Sequence, residues 1–103
     1  MESRFHLLFV DGERQGEVIP LAAERFTIGR KEKNDLVLAD SRVSGVHAEV
    51  VREGEDWLLR DLGSTNGTLL DGRKIEEVHL AHGDIFSIGL IRPRFVDGEG
   101  GLL

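Results

Sequence analysis

The chain has 103 residues, enough for one domain, and a chain of this size buries roughly two-thirds of the surface it exposes when unfolded. Nineteen acidic against thirteen basic residues give a formal charge of -6, which excludes the broad basic surface that nucleic acids and anionic membranes require. Cysteine is absent, so disulfides, thiolate metal sites and cysteine nucleophiles are excluded, and a reducing, cytoplasmic setting is expected. No run reaches the ~18 apolar residues of a membrane helix, and Met1 to His6 carries no secretory apolar segment, so the sequence reads as a soluble chain with its start intact.

Thirteen glycines, two prolines and short apolar runs separated by turn dipeptides predict many brief strands, the pattern of an all-β sandwich. The first strand is expected over Phe5 to Val10. Asp11-Gly12 then suits a two-residue hairpin, because both residues tolerate positive φ. Glu17 to Leu21 follows. Leu21 to Arg25 is locally helix-prone, but Pro20 to Phe26 is too short for a helix without tertiary support and reads as a strand end and a turn. Arg25 to Ile28, Leu36 to Leu38 and His47 to Arg52 come next. In the last of these, Ala48 and Val50 share one face and His47 and Glu49 the other, while Val51 and Arg52 break the alternation slightly. Trp57 to Asp61 and Thr68 to Leu70 are followed by Asp71-Gly72, a hairpin signal joining Leu69-Leu70 to Arg73-Lys74-Ile75. Lys74 to Val78, Asp84 to Ile88 and Ile91 to Val96 complete the strands. The domain spans 1–96, and 97–103, opening Asp97-Gly-Glu-Gly-Gly101, is a flexible tail by composition.

Three segments beside these strands carry convergent polar chemistry: Gly29-Arg30, Ser44-Gly45-Val46-His47-Ala48 and Gly63-Ser64-Thr65-Asn66-Gly67-Thr68. Arginine offers a planar fork of donors, serine and threonine offer hydroxyls, and a glycine-rich loop lets backbone N–H groups approach an anion. Together they describe a small oxyanion site on loops held by a rigid scaffold.

Gly29-Arg30, Asn34-Asp35-Leu36-x-Leu38-x-Asp40, Val43-Ser44-x-x-His47-Ala48 and Asp61-x-x-Ser64-Thr65-Asn66-Gly67-Thr68 occur in one order, and the sequence closely resembles a forkhead-associated (FHA) domain over nearly its whole length. The resemblance implies a sandwich of two twisted sheets with about eleven mostly antiparallel strands, binding phosphothreonine peptides through loops at one end. It implies that Arg30, Ser44 and Thr65 contact the phosphate and that Asn66 holds the peptide backbone. His47 braces the loops, and Gly29 and Gly67 let them turn tightly. The departure is Gly45, where the family commonly carries an Arg or Asn that adds ligand contacts. One lost hydrogen bond to a charged group costs about 1.5–3 kcal/mol, roughly ten- to a hundredfold in affinity. Arg42, Lys31 and Lys33 are expected to offset it from the rim, and Arg42 is expected to favour an acidic side chain a few positions beyond the phosphothreonine.

The same residues have plainer readings. Arg30 alone is a strand-end charge, Ser44 and Thr65 alone are turn residues, and Asn66-Gly67-Thr68 alone is a glycosylation sequon. His79-x-x-His82 lacks a third ligand, so neither a metal nor another cofactor is expected. Trp57 and the five phenylalanines belong to the core. Ser44, His47 and Asp61 form a hydrolase triad on paper only, without a nucleophile elbow. The expected function is therefore non-enzymatic: binding a phosphothreonine-containing protein or peptide, with a Ser/Thr kinase or its substrate as partner. The rival is a phospho-independent scaffolding or oligomerisation domain, which Gly45 favours. From Arg30 to His47 four basic and three acidic residues leave a local net charge of +1 within the acidic chain.

Overall fold

A computed structural model of the chain describes residues 4–98. It consists of strands β1 (Phe5–Phe9), β2 (Val18–Pro20), β3 (Arg25–Gly29), β4 (Leu36–Val37), β5 (Ala48–Glu53), β6 (Asp56–Asp61), β7 (Thr68–Leu70), β8 (Arg73–Ile75), β9 (Glu77–Leu80), β10 (Phe86–Ile88) and β11 (Pro93–Asp97). One layer is a five-stranded sheet in the order β4-β3-β5-β6-β9. The other is built from β2-β1-β11 and β8-β7-β10, joined where Ile85 bridges Arg94 and Ile88 bridges Ile91. Among the named strands only β3 and β4 pair in parallel. This is the two-sheet β-sandwich that the sequence predicts.

Alternation fills the space between the layers. Leu7 and Phe9, Phe26 and Ile28, Ala48 and Val50, Trp57 and Leu59, and Phe86 and Ile88 all point inward and are buried. All five phenylalanines and Trp57 lie in this core, and Phe5 stacks on Phe95 with centroids 6.0 Å apart. Burying each large side chain contributes about 1.5–3 kcal/mol. On the outer face Glu49 is buried by Arg25 and Arg60, which pair with its two carboxylate oxygens. The alternation of β5 does not break at Arg52. On the same face as Val50, the Arg52 guanidinium lies over the Phe5 and Trp57 rings at 5.2 and 5.7 Å, so its charge caps the core edge through cation–π contact.

The two Asp-Gly signals have different outcomes. Asp71 (φ 52) and Gly72 (φ 77) form the two-residue turn between β7 and β8. The β1–β2 connection instead takes eight residues, with Gly16 N–H donating to the Phe9 carbonyl at 2.8 Å. Burial sets this register: Leu7 pairs with Ile19, which packs against the core, whereas a turn at Asp11-Gly12 would shift the pairing by an odd number of residues and turn Ile19 outward and exposed Val18 inward. The single strand predicted over Lys74 to Val78 is two. β8 pairs with β7, β9 pairs with β6, and the carbonyl of Glu76 accepts the Asp61 N–H at 2.9 Å where the chain steps between sheets. Asp97, assigned to the tail by composition, is the last residue of β11 opposite Phe5, and Gly98 N–H donates to Arg4. The rest of the expected tail, 99–103, lies outside the described residues.

Registers Ile28–Ala48 and Ala48–Asp61 bring the ends of β3, β5 and β6 level. The segments 30–34, 38–47 and 62–67 therefore emerge together at one end of the sandwich.

Candidate functional site

Backbone pairing holds the first two of these segments side by side. Arg30 N–H donates to the Ser44 carbonyl and Lys31 N–H to the Gly45 carbonyl, both at 3.0 Å. Asn34 closes the turn from below: its Nδ2 donates to the carbonyls of Lys31 and Gly45 at 2.7 Å each. Gly29 lies directly beneath, where a Cβ would run into the Gly45 carbonyl and Asn34 Nδ2. This close approach, rather than positive φ, is why glycine is needed there.

The guanidinium of Arg30 is anchored through Nε, which donates to the Val43 carbonyl at 3.1 Å. Its terminal nitrogens make no ion pair among the described residues, and the side chain is exposed. Ser44 accepts the Thr65 N–H on its hydroxyl at 3.0 Å. That contact uses an acceptor lone pair and leaves the hydroxyl proton available to a ligand.

His47 is fully buried and ties the loops together. Its Nδ1 accepts the Ser44 N–H at 3.0 Å and its Nε2 lies 2.9 Å from the Gly67 carbonyl. An amide can only donate, so the ring proton sits on Nε2. The third loop is organised by Asp61, which accepts Ser64 Oγ at 2.6 Å, Thr68 Oγ1 at 2.8 Å and Ser64 N–H at 3.0 Å. Burial opposes its charge, but these hydrogen bonds from Ser64 and Thr68 outweigh it and hold its carboxyl below the usual carboxylate range. Ser64 Oγ in turn accepts Gly67 N–H at 2.9 Å. Exposed Asn66 donates to the Arg42 carbonyl at 2.8 Å. Gly67 turns at φ +89.

Arg30, Ser44, Gly45, Thr65 and Asn66 are thus brought to one surface, with Gly29, His47 and Gly67 supporting it. Arg42 joins through its carbonyl. Lys33 is exposed in the 31–34 turn, and no hydrogen bond ties it to the other loops among the described residues. The paper triad does not assemble: the Ser44 contact to His47 comes from the backbone N–H, not the hydroxyl. His79 lies in β9 opposite Leu58, while His82 Nδ1 accepts the Asp97 N–H, so the two histidines serve different contacts.

Two features were not legible in the motifs. Beside the site opens a groove of about 640 Å³ lined by Arg14, Val37, Asp40, Arg42, Leu90 and Ile91 among others, in which Leu90 is 69% exposed. Asp40 shapes it by accepting the Arg42 and Leu90 N–H groups, which lower its carboxyl from the ordinary range. The second is Lys74 of β8, whose aliphatic stem lies across Gly67. Lys31 lies across Gly45 in the same manner.

Fold and loops together define a β-sandwich whose candidate ligand groups sit on loops at one end. The chain belongs to the FHA domains, and through residues 8–99 to the family described as the cytoplasmic domain of the inner membrane component of T3SS. It is 40% identical over 70 residues to the FHA domain-containing protein FhaB of Mycobacterium tuberculosis, covering 68% of this chain and 45% of FhaB. Among solved structures it is similar to Mycobacterium tuberculosis EmbR in complex with a low affinity phosphopeptide, with TM-score 0.84 and 32% identity over 90% of this chain and 24% of EmbR. It is also similar to a structure from work on phosphothreonine-dependent FHA domain interactions, with TM-score 0.81 and 33% identity over 89% of this chain and 94% of that one. The chain spans less than half the length of FhaB.

Proposed function

We propose that this chain is a phosphothreonine-peptide-binding module that couples the output of a Ser/Thr kinase to protein assembly in the cytoplasm. The observation that carries this reading is the set of unspent donors at the loop end: the terminal nitrogens of Arg30 and the proton of Ser44, fixed by backbone hydrogen bonds. A phosphate brings close to two negative charges and three acceptor oxygens. Arg30 suits it bidentately, Ser44 donates one hydrogen bond, and Thr65 adds its side chain. Asn66 is steadied through Arg42 and has its Oδ1 left to meet a peptide N–H. Arg42, at the border of the groove, selects an acidic residue beyond the phosphothreonine. The chemistry required is recognition, and no bond is made or broken.

Calorimetric titration with paired phosphorylated and unmodified threonine peptides, chosen from an oriented phosphopeptide library, tests the reading. Binding of the phosphorylated member alone is expected. Equal affinities for the two would establish a phospho-independent scaffold instead. A library with no acidic preference, or one unchanged in Arg42→Ala, would remove the role of Arg42.

A further inference from the structure

The proposed phosphate surface carries two lysine stems, each laid on a loop glycine. A Cβ on Gly45 would meet Cε, Cδ and Cγ of Lys31 at 2.8, 3.1 and 3.2 Å. The space that a residue-45 side chain would fill is therefore already occupied by Lys31, reaching across from the neighbouring loop. The Lys31 N–H to Gly45 carbonyl bond fixes the two backbones at that distance. Similarly, a Cβ on Gly67 would meet Cε, Cδ and Cγ of Lys74 at 2.9, 3.1 and 3.2 Å. Lys74 pairs with Leu69 and leans diagonally toward Gly67, two residues earlier on the same face, as long side chains do across antiparallel strands. In both cases the apolar stem covers backbone and the charged head lies one bond beyond.

Neither ammonium is in an ion pair among the described residues, whereas Arg14, Arg25, Arg60 and Arg92 are each paired with a carboxylate. In a chain with six more acids than bases, two cations without partners flank the proposed phosphate site.

Resting on the phosphopeptide reading above, we propose that Lys31 and Lys74 are specificity-determining cationic arms of the site. Lys31 supplies from the adjacent loop the donor missing at Gly45, and Lys74 flanks the ligand on the Gly67 side. Gly45 is then not a loss of function but the space that admits Lys31.

The test is calorimetric titration of the full chain with its library-selected phosphothreonine peptide. Lys31→Met and Lys74→Met, which keep an apolar stem, are each expected to weaken binding about fivefold. Arg73→Met removes a neighbouring exposed charge that does not lie on either glycine, and is expected to change affinity less than about twofold. Gly45→Arg combined with Lys31→Ala should restore affinity, because alanine removes the stem and the arginine takes the space it leaves. Thermal melts check that each variant is folded. Lysine→Met variants no weaker than Arg73→Met would overturn the proposal, and a Lys31→Ala defect that Gly45→Arg fails to repair would overturn the exchange of donors. Wild-type protein that does not distinguish phosphorylated from unmodified peptide would instead sink the phosphopeptide reading itself.

Discussion

The backbone N–H of Ser44 donates to Nδ1 of His47 at 3.0 Å, so the residue proposed to touch phosphate is positioned by a ring that is itself fully buried. The other ring nitrogen reaches the Gly67 carbonyl, and one fully buried side chain joins the second and third loops. His47→Ala should leave two polar groups unpartnered and a cavity behind them, costing about 2–4 kcal/mol. Urea denaturation measures this, and a variant as stable as wild type would show that the ring does not brace the loops.

Arg30→Ala should behave in the opposite way. The side chain is exposed and spends only Nε on the protein, so its removal is expected to change stability by less than about 1 kcal/mol while abolishing phosphopeptide binding. Paired thermal melts and titrations separate the two effects. Retained affinity excludes Arg30 from the phosphate.

Acid should loosen the third loop through Asp61. Its folded pKa is depressed, so its contribution is fully present above the unfolded value of about 3.9 and is lost as pH falls through the lower folded value. In Asp61→Asn the charge-dependent part is missing at every pH, and the fall in melting temperature across that acidic window should be smaller than in wild type. Parallel acid melting curves for the two proteins would show that Asp61 carries no such linkage.

Two glycines of one site should respond differently to alanine. At Gly29 the added methyl meets a backbone carbonyl and the buried Asn34 amide, neither of which yields cheaply, and about 1–3 kcal/mol of destabilisation is expected. At Gly45 it meets only the Lys31 stem, which can swing aside, so Gly45→Ala should keep wild-type stability. Chemical denaturation of both variants decides this, with similar losses at the two positions counting against the close-approach account of Gly29.

Much of this was readable in the chain because local chemistry and global fold agree. Asp71-Gly72 demanded a tight turn and made one; the Ser44 and Asn66 motifs sit on the loops where strand ends were expected. The misreadings arose where nonlocal burial decides. Asp11-Gly12 has the same turn chemistry, but the buried faces of Leu7 and Phe9 select a register several residues away. The break at Glu76 is invisible along the sequence, since only the different partners of β8 and β9 require it. Lys74 was missed for a related reason: nothing in its neighbours reveals that a hairpin lays its stem on Gly67.

The pairing of Phe5 with Asp97 has a consequence for how this domain can be wired. The chain enters and leaves at adjacent points of one sheet, while Phe9 and Pro93, the other ends of the same two strands, lie toward the loops. Any polypeptide joined on either side would therefore attach at the pole away from the candidate site. Such a tether raises the local concentration of the module near its target without crossing the site, and its length can be varied over wide limits before geometry forbids engagement.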